Sequence, residues 1–314
     1  MSERFYRIST AISRKTGPWF FRISARVVAM GFFLLFPGRV AESVRFYRAL
    51  FPEKSAFHAL RCAWGQYQNF TRVFLDRFLL EEGGEIACTS RGWEHLAAAL
   101  DRKTGGVILM SHLGNWELAA RLLRQRRPDM PLLLYMGARN REQIERIQKQ
   151  SLADSGIRII AVDEGRASPF DLIEGITFLK SGGLVSMTGD VLWHPGQRAV
   201  SAAFLGHEVR LPETPHLLAL LSGAPLLILF TFRTGDRRCE FSVSPPVRVG
   251  PSSRAERRKV IRESVQHYAD LLAEAVRSHP LEWYHFGKFL GEKPAVNPDG
   301  PPDKPPPGHG PRPD

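Results

Sequence analysis

Residues 105–117 read Gly-Gly-Val-Ile-Leu-Met-Ser-His-Leu-Gly-Asn-Trp-Glu, an apolar run that passes through a short turn into an amphipathic stretch. The apolar residues predict a buried β-strand, and Asn115 is a good N-cap for a helix that follows at once. His112 then lies at the carboxyl end of a strand, and Glu117 lies in the first helical turn, where the helix dipole favours negative charge. Gly114 permits a turn tight enough for the Glu117 carboxylate to meet the His112 imidazole.

A histidine held by a carboxylate has a fixed tautomer and a stabilised protonated form, which a general base for a hydroxyl requires. An isolated His-x4-Glu pattern is weak evidence, because most histidines in such patterns are structural. Here the pattern follows a central strand and opens a helix, so His112 and Glu117 are the candidate catalytic residues.

Outward from this stretch, short apolar runs alternate with amphipathic segments. The runs predicted as strands are 107–110, 132–136, 157–162, 184–187 and 226–232. The segments predicted as helices are 116–123, 142–152, 170–179, 215–221 and 254–276. This alternation predicts an α/β fold with a mostly parallel central sheet flanked by helices. Ligand sites of such sheets lie at the carboxyl ends of the strands.

The N-terminal region has a different character. Residues 1–48 hold nine basic side chains and two acidic ones, interleaved with Trp19, Phe20, Phe21 and the apolar run 27–36. This mixture is typical of a helix that lies in the headgroup layer of a membrane. The run is shorter than the roughly 20 residues that span a bilayer. An interfacial helix is therefore favoured over a spanning one, and a helix packed on the domain with a basic outer face is the alternative.

These patterns divide the chain into three parts. Residues 1–80 are predicted to be helices that associate with a membrane, with Pro52 separating two of them, and residues 81–290 to be the α/β domain. Residues 291–314 contain nine prolines in twenty-four residues, so we expect a disordered tail.

The overall charge points to an anionic partner. The chain has 314 residues, a net charge of +11 and a sequence pI near 9.9. Nucleic acid, a phospholipid surface and an acidic carrier protein would all suit such a chain. Aromatic and basic residues do not interleave along any predicted pair of strands as a single-stranded nucleic-acid platform requires, so nucleic acid is disfavoured.

Other kinds of site lack their sequence signatures. No Gly-x-Ser-x-Gly elbow, phosphate-binding loop, dinucleotide fingerprint or His-Glu-x-x-His zinc motif occurs. Ser111 is adjacent to His112 and should point to the opposite face of the strand, which disfavours it as a nucleophile. Cys62, Cys88 and Cys239 are odd in number and widely spaced, so we expect neither a disulfide framework nor a zinc site, as in a reducing cytosol.

The residues around this turn resemble a known family. HLGNWE and its strand are similar to the His-x4-Asp/Glu block of glycerolipid acyltransferases, and closest to that of bacterial lipid A biosynthesis (lauroyl and myristoyl) acyltransferases. The mycobacterial phosphatidylinositol mannoside acyltransferase is a near relative. Similar blocks are RALFPEKS at 48–55, QNFTRVFLDR at 68–77, TGDVL at 188–192, AAFLG at 202–206, LPETPHLLALLSGAPLLILF at 211–230 and HPLEWYHFGKF at 279–289. The resemblance covers roughly residues 19–290.

The resemblance implies a reaction. His112 would remove a proton from an acceptor hydroxyl, Glu117 would orient and stabilise the imidazole, and the alkoxide would attack an acyl thioester of acyl carrier protein or coenzyme A. Asp190 should face the same cleft. No metal or redox cofactor is implied.

The resemblance also suggests residues that bind substrate. Arg139 or Arg166 would bind the donor phosphate or stabilise the developing oxyanion. The family's Tyr-Arg-Pro-x-x-Asn segment is replaced by Tyr-Met-Gly-Ala-Arg-Asn, so Arg139 and Asn140 are displaced from their usual positions. Gly287 stands where an arginine is common.

The resemblance implies a membrane glycolipid acceptor, and first among these a lipid A precursor. The alternatives are another lipid, such as a phospholipid, an aminolipid or a mannolipid, and a non-catalytic membrane-binding protein of the same fold. The implied location is the cytoplasmic face of the inner membrane, reached as a peripheral protein or by a single N-terminal anchor.

Overall fold

The computed structural model describes residues 3–137, 157–162, 169–194, 196–250, 253 and 255–293. The predicted helix 142–152 and the proline-rich tail beyond residue 293 lie outside the described residues.

Four helices form the N-terminal region: α1 Glu3–Thr16, α2 Pro18–Leu35, α3 Pro37–Leu50 and α4 Ala56–Glu81. Two of them start at a proline, whose fixed φ suits the first helical position. Ser55 caps α4 by accepting a hydrogen bond from the His58 backbone N–H. The break at Pro52 lies between α3 and α4, as predicted.

Helix α2 packs on α4 through one face and leaves the opposite face open. Phe21 is fully buried and stacks on Phe78 of α4, with ring centroids 5.2 Å apart. The exposed face carries large apolar side chains at helical spacing, namely Trp19, Ile23, Val27, Met30 and Leu34. By length and composition alone, α2 could cross a membrane. Its exposed surface is therefore largely apolar, and the basic residues Arg22 and Arg26 are exposed beside these side chains.

The remaining elements alternate between strands and helices. The strands are β1 Ala87–Arg91, β2 Gly106–Met110, β3 Leu132–Gly137, β4 Arg158–Val162, β5 Leu184–Thr188, β6 Ala199–Phe204, β7 His207–Pro212, β8 Leu226–Gly235 and β9 Arg238–Val243. The helices are α5 Trp93–Asp101, α6 Trp116–Arg126, α7 Pro169–Lys180, α8 Thr214–Ser222 and α9 Arg257–Ser278, followed by the 3₁₀ turn Pro280–Glu282.

Seven strands form one sheet in the order β1-β9-β8-β2-β5-β3-β4. Neighbouring strands in this sheet run parallel except β8 and β9, which form an antiparallel pair. Strands β6 and β7 form a separate antiparallel hairpin. The predicted α/β fold with a mostly parallel sheet and flanking helices is confirmed.

Strand β2 lies in the middle of the sheet, between β5 and β8, and every one of its residues is buried. Side chains on one face pack in a cluster with α9, and those on the other face pack in a cluster with α5 and α6. Burial on both faces explains why this strand is a continuous apolar run. The residues that follow β2 and β5 leave the sheet at the same edge, side by side.

The expectation that no disulfide framework can be built is wrong for two of the cysteines. Cys88 in β1 and Cys239 in β9 are register partners on neighbouring parallel strands, with Cα atoms 4.5 Å apart, and they form a disulfide. They are separated by 151 residues, and the sequence does not show that these strands are neighbours. Cys62 is a free, half-buried thiol.

Candidate active site

The turn between β2 and α6 is held in place by strand β8. Gly114 has φ 78°, and a Cβ at this position would lie 2.1 Å from the Thr231 carbonyl oxygen. The Asn115 N–H donates to that same oxygen over 2.9 Å. The Asn115 side chain then caps α6 by accepting from the Leu118 N–H over 3.1 Å. The tight glycine turn and the asparagine cap predicted for this stretch are both confirmed.

This turn delivers His112 to the carboxylate of Asp190, which follows the neighbouring strand β5. The imidazole Nδ1 lies 3.1 Å and 3.2 Å from the two Asp190 carboxylate oxygens, and the His112 backbone N–H donates to Oδ2 over 2.6 Å. Gly189 allows this close approach, because a Cβ there would lie 2.7 Å from both Leu109 and Tyr268.

The Asp190 carboxylate is fully buried, and the His112 imidazole is hydrogen bonded to it. Burial raises the pKa of Asp190, but the charge and hydrogen bonds of His112 outweigh burial and hold the pKa below its ordinary value. The His112 side chain is 37% exposed. Because Nδ1–H donates to the carboxylate, the neutral imidazole has its lone pair on Nε2. His112 can therefore accept a proton at the cleft while Asp190 stabilises the resulting imidazolium.

Glu117 occupies a different position from the one predicted. Its carboxylate receives hydrogen bonds from Arg77 Nε at 2.9 and 3.0 Å and from Arg77 Nη2 at 2.6 Å, and Arg121 lies 3.4 Å away. The side chains of Arg77 and Glu117 are both almost completely buried. The orienting position on His112 Nδ1, which we expected Glu117 to fill, is occupied by Asp190. Glu117 instead fastens the start of α6 to α4.

A second set of polar residues, Asp76, Arg233 and Glu282, also contacts the turn between β2 and α6. Asp76, next to Arg77 in α4, accepts from the Asn115 side chain over 3.3 Å and forms an ion pair with Arg233 of β8. The Arg233 N–H donates to the Glu282 carboxylate, and the Gly114 N–H donates to the Glu282 carbonyl oxygen over 2.9 Å. Burial raises the pKa of Glu282 to about 7, against the opposing effect of Arg233.

The segment after α9 closes the site. Trp283 pairs with Leu113 as an isolated antiparallel bridge, and the Tyr284 N–H donates to the His112 carbonyl oxygen over 2.7 Å. The next residue, His285, places its ring 6.0 Å from the His112 ring, centroid to centroid. The block HPLEWYHFGKF at 279–289, noted in the sequence, therefore packs against the turn that carries His112.

Sequence reasoning missed several residues of this site: Asp76, Arg77, Arg233, Glu282 and His285. One signal was present. Asp76 and Arg77 are adjacent charged residues inside the otherwise apolar stretch 73–80 of a predicted helix. An apolar stretch is expected to be buried, and buried charged residues are usually paired, so these two residues pointed to buried ion pairs. The partners of these two residues are distant in sequence, so the pairings require the fold.

The other predicted site residues have separate outcomes. Arg139, Asn140 and Arg166 lie outside the described residues. Ser111 is buried, and its hydroxyl accepts from the Leu113 N–H over 3.2 Å. Within the described ranges, no group of three or more His, Cys, Asp or Glu side chains converges as a metal site would require.

Two comparisons with known proteins agree with this geometry. The sequence profile described as "Bacterial lipid A biosynthesis acyltransferase" matches residues 48–290. A phosphatidylinositol mannoside acyltransferase of Mycobacterium tuberculosis (strain H37Rv) is 26% identical over 202 residues, which are 62% of this chain and 57% of that protein. The protein of that name from Mycolicibacterium smegmatis is 26% identical over 192 residues, 61% of this chain and 58% of its own. The chain thus spans less than two thirds of these relatives.

Proposed function

Because the chain belongs to the bacterial lipid A biosynthesis acyltransferase family, we propose that it moves a fatty acyl chain from a thioester to a hydroxyl of a membrane glycolipid. The observation that carries the proposal is the His112 and Asp190 pair. It combines a partly exposed imidazole with a buried carboxylate at the carboxyl edge of a parallel sheet. Such a pair suits general base catalysis on a hydroxyl.

The reaction follows from the roles of these two side chains. His112 Nε2 takes the proton of the acceptor hydroxyl as the oxygen attacks the thioester carbonyl carbon. The carbonyl π electrons move onto oxygen, and Asp190 stabilises the imidazolium. When the tetrahedral intermediate collapses, the carbon–sulfur bond breaks and the thiolate leaves with the proton that His112 carried. The products are an ester and a free thiol.

The donor is a thioester of acyl carrier protein or coenzyme A, both of which carry phosphate. The basic character of the chain favours either one. Arg139, Asn140 and Arg166 are our candidates for binding the donor phosphate, with oxyanion stabilisation by one of the arginines as the alternative. Guanidinium groups suit phosphate because they donate two parallel hydrogen bonds.

Two acceptors have support. The mycobacterial relatives are named for phosphatidylinositol mannoside, and they favour a mannolipid hydroxyl. The family description favours a lipid A precursor. We propose the mannolipid as the first candidate, since it is supported by individual sequences aligned over more than 190 residues.

The reaction would take place at the cytoplasmic face of the inner membrane. The exposed apolar face of α2 and the basic N-terminal region support attachment there, with α2 lying in the headgroup layer. The opposite face of α2 is packed on α4, so this helix is better placed to lie on the bilayer than to cross it.

The test is acyl transfer by the purified full chain in detergent. Labelled acyl-CoA and acyl carrier protein thioesters would each be supplied with phosphatidylinositol mannoside or a lipid A precursor, and products read by mass spectrometry. We expect one acceptor to gain one acyl ester, and His112→Ala to lower the rate roughly 100- to 10,000-fold. Transfer by His112→Ala at the wild-type rate would contradict the mechanism. Vesicle binding without transfer to either acceptor would favour the non-catalytic alternative.

A further inference from the structure

His285 is held beside the catalytic histidine by aromatic stacking. Its ring lies nearly parallel to Trp283, with centroids 5.6 Å apart, and contacts Phe289 at 5.0 Å. The ring is 6.0 Å from that of His112 and nearly perpendicular to it. Because Tyr284 is hydrogen bonded to the His112 backbone, the two imidazoles are fixed to the same short bridge.

The protonation of His285 suits a hydrogen-bond donor. Burial lowers the pKa of His285 to about 4, and the charge of nearby His112 lowers it too, against the opposing effect of Asp190. The ring is therefore neutral near pH 7 and carries one N–H. Nδ1 is buried and makes no hydrogen bond of good geometry among the described residues, although backbone groups of Gly287 and of His285 itself interact with the ring and oppose the lowering of its pKa. A proton on Nε2 leaves no N–H buried without a well-aligned acceptor.

His112, oriented by Asp190, can already serve as the base, so His285 is not needed for that role. A neutral imidazole N–H is instead a good donor to developing negative charge, as it does not transfer its own proton readily. In the tetrahedral intermediate the attacking oxygen and the oxyanion are bonded to the same carbon. The base and the oxyanion donor must then lie within a few ångströms of each other, as these two rings do.

We propose that His285 is a further catalytic residue, whose neutral imidazole N–H binds the thioester carbonyl oxygen and stabilises the oxyanion. The proposal rests on the acyltransferase function proposed above. When the acceptor oxygen attacks, the carbonyl π electrons pass to the oxygen that His285 holds. They return to form the ester carbonyl as the thiolate leaves, and His285 keeps its proton throughout. His112 carries the proton from the hydroxyl to the leaving thiolate.

The experiment compares His285→Gln with His285→Met. Both variants lose the ring and its stacking, and their side chains are similar in length, but only glutamine has an N–H donor. Transfer to the acceptor and thioester hydrolysis by water without acceptor are both measured, since each passes through an oxyanion. Circular dichroism and thermal unfolding establish that both variants are folded to the same extent.

We expect His285→Met to lose about 100- to 1,000-fold in kcat for both reactions, the usual effect of removing one oxyanion donor, with little change in the KM for the thioester. His285→Gln should retain much more activity than His285→Met. Equal losses in the two variants, or a change confined to KM, would overturn the proposal and leave His285 a packing residue. Wild-type transfer and its loss in His112→Ala test the proposed function separately.

Discussion

Two buried carboxylates flank the catalytic turn, and each is paired with a different kind of cation. Asp190 faces an imidazole that gains and loses a proton, whereas Glu117 faces a guanidinium that stays charged. The carboxylate of Asp190 stays ionised and can stabilise the imidazolium that forms when His112 takes a proton. The charge on Glu117 balances a permanent buried charge. Removing the first should affect catalysis, and removing the second should affect stability.

Asp190→Asn should abolish most of the activity while leaving the fold intact. An amide of the same size can stabilise the wrong imidazole tautomer, and in a Ser-His-Asp triad this lowers kcat by about 10,000-fold. The measurement is the acyl-transfer rate, with Asp270→Asn, an exposed aspartate on α9, as the matched control. An Asp190→Asn enzyme as active as this control would show that the carboxylate does not orient the base.

Arg77→Met should destabilise the protein strongly, because it leaves the Glu117 carboxylate buried without its main cation. Breaking one partner of a buried pair costs about 3–5 kcal/mol in the free energy of unfolding. The double variant Arg77→Met/Glu117→Leu removes both charges and should recover much of that loss. Urea denaturation of the wild type and of both variants measures this. A double variant no more stable than Arg77→Met would mean that the pair is not coupled.

Glu282 should give a pH dependence that one substitution can isolate. Its pKa is raised from 4.5 to about 7 by burial, so between these values the folded protein holds a proton that the unfolded chain has released. Its contribution to stability therefore falls as pH rises through this window. Glu282→Gln removes that titration. We expect the stability of this variant, relative to wild type, to increase from about pH 4.5 to about pH 7.

Burial lowers the pKa of His216 to about 3. The contribution of such a buried histidine to stability rises with pH, whereas that of Glu282 falls. Comparing wild type with Glu282→Gln at each pH cancels their effect. A stability difference that is constant over the window would contradict the raised pKa of Glu282.

Among single residues, the sequence predicts those whose role is set by local geometry. The strand end, the glycine turn and the cap place His112 correctly, because all three depend on neighbours in the chain. Asp190 is predicted only to face the same cleft, since the sequence does not show that β5 lies next to β2. The pairing of Glu117 with Arg77 was missed for the same reason: its partner comes from a helix 40 residues upstream.

Among helices and strands, α2 combines one buried face with one exposed apolar face. Ile23 and Val27 are 54% and 55% exposed, one helical turn apart. Deleting the helix would also uncover apolar residues of α4, so substitutions on its exposed face test membrane contact more cleanly than truncation does.

The double variant Ile23→Asp/Val27→Asp should bind anionic phospholipid vesicles more weakly, because charged side chains on this face oppose insertion between the headgroups. The measurement is the bound fraction in a sedimentation assay. Ile173→Asp is the control, since Ile173 is 57% exposed on α7. Equal binding by both variants and the wild type would place the membrane contact elsewhere.

Four of the five predicted strands, β2, β3, β5 and β8, are largely buried on both faces, and burial makes them continuous apolar runs. Strand β1 is mostly exposed, and β6, β7 and β9 alternate between buried and exposed residues, so their apolar content is lower. These four were missed. Helix bounds were predicted well where a cap or a proline marks the end, as at Asn115 and Pro52.

For the molecule as a whole, α4 links the exposed apolar surface of the N-terminal region to the turn that carries His112. Its first turns expose Phe57, Leu60 and Trp64, and its last turns carry Asp76 and Arg77. With 26 residues, the helix is about 39 Å long. One rigid element therefore fixes the distance between the apolar surface and the catalytic histidine.

Cys88 and Cys239 link the edge strand β1 to its neighbour β9, and this pairing can be tested directly. Alkylation of the protein unfolded without reductant should label Cys62 alone, and labelling after reduction should reach all three cysteines. Mass spectrometry counts the labels. Three labels without reductant would show that the pair exists as free thiols in the isolated protein, as expected for a reducing compartment.

The bridge between the catalytic turn and residues 282–284 also has a consequence for biosynthesis. His112 leaves the ribosome early, but the backbone groups that hold its turn belong to Thr231, Glu282 and Tyr284, which are made much later. A nascent chain that contains His112 therefore still lacks the backbone groups that hold its turn in position. The transfer proposed above therefore requires that residues 282–284 have packed on the turn, so a chain whose synthesis has not yet reached them would lack an oriented base.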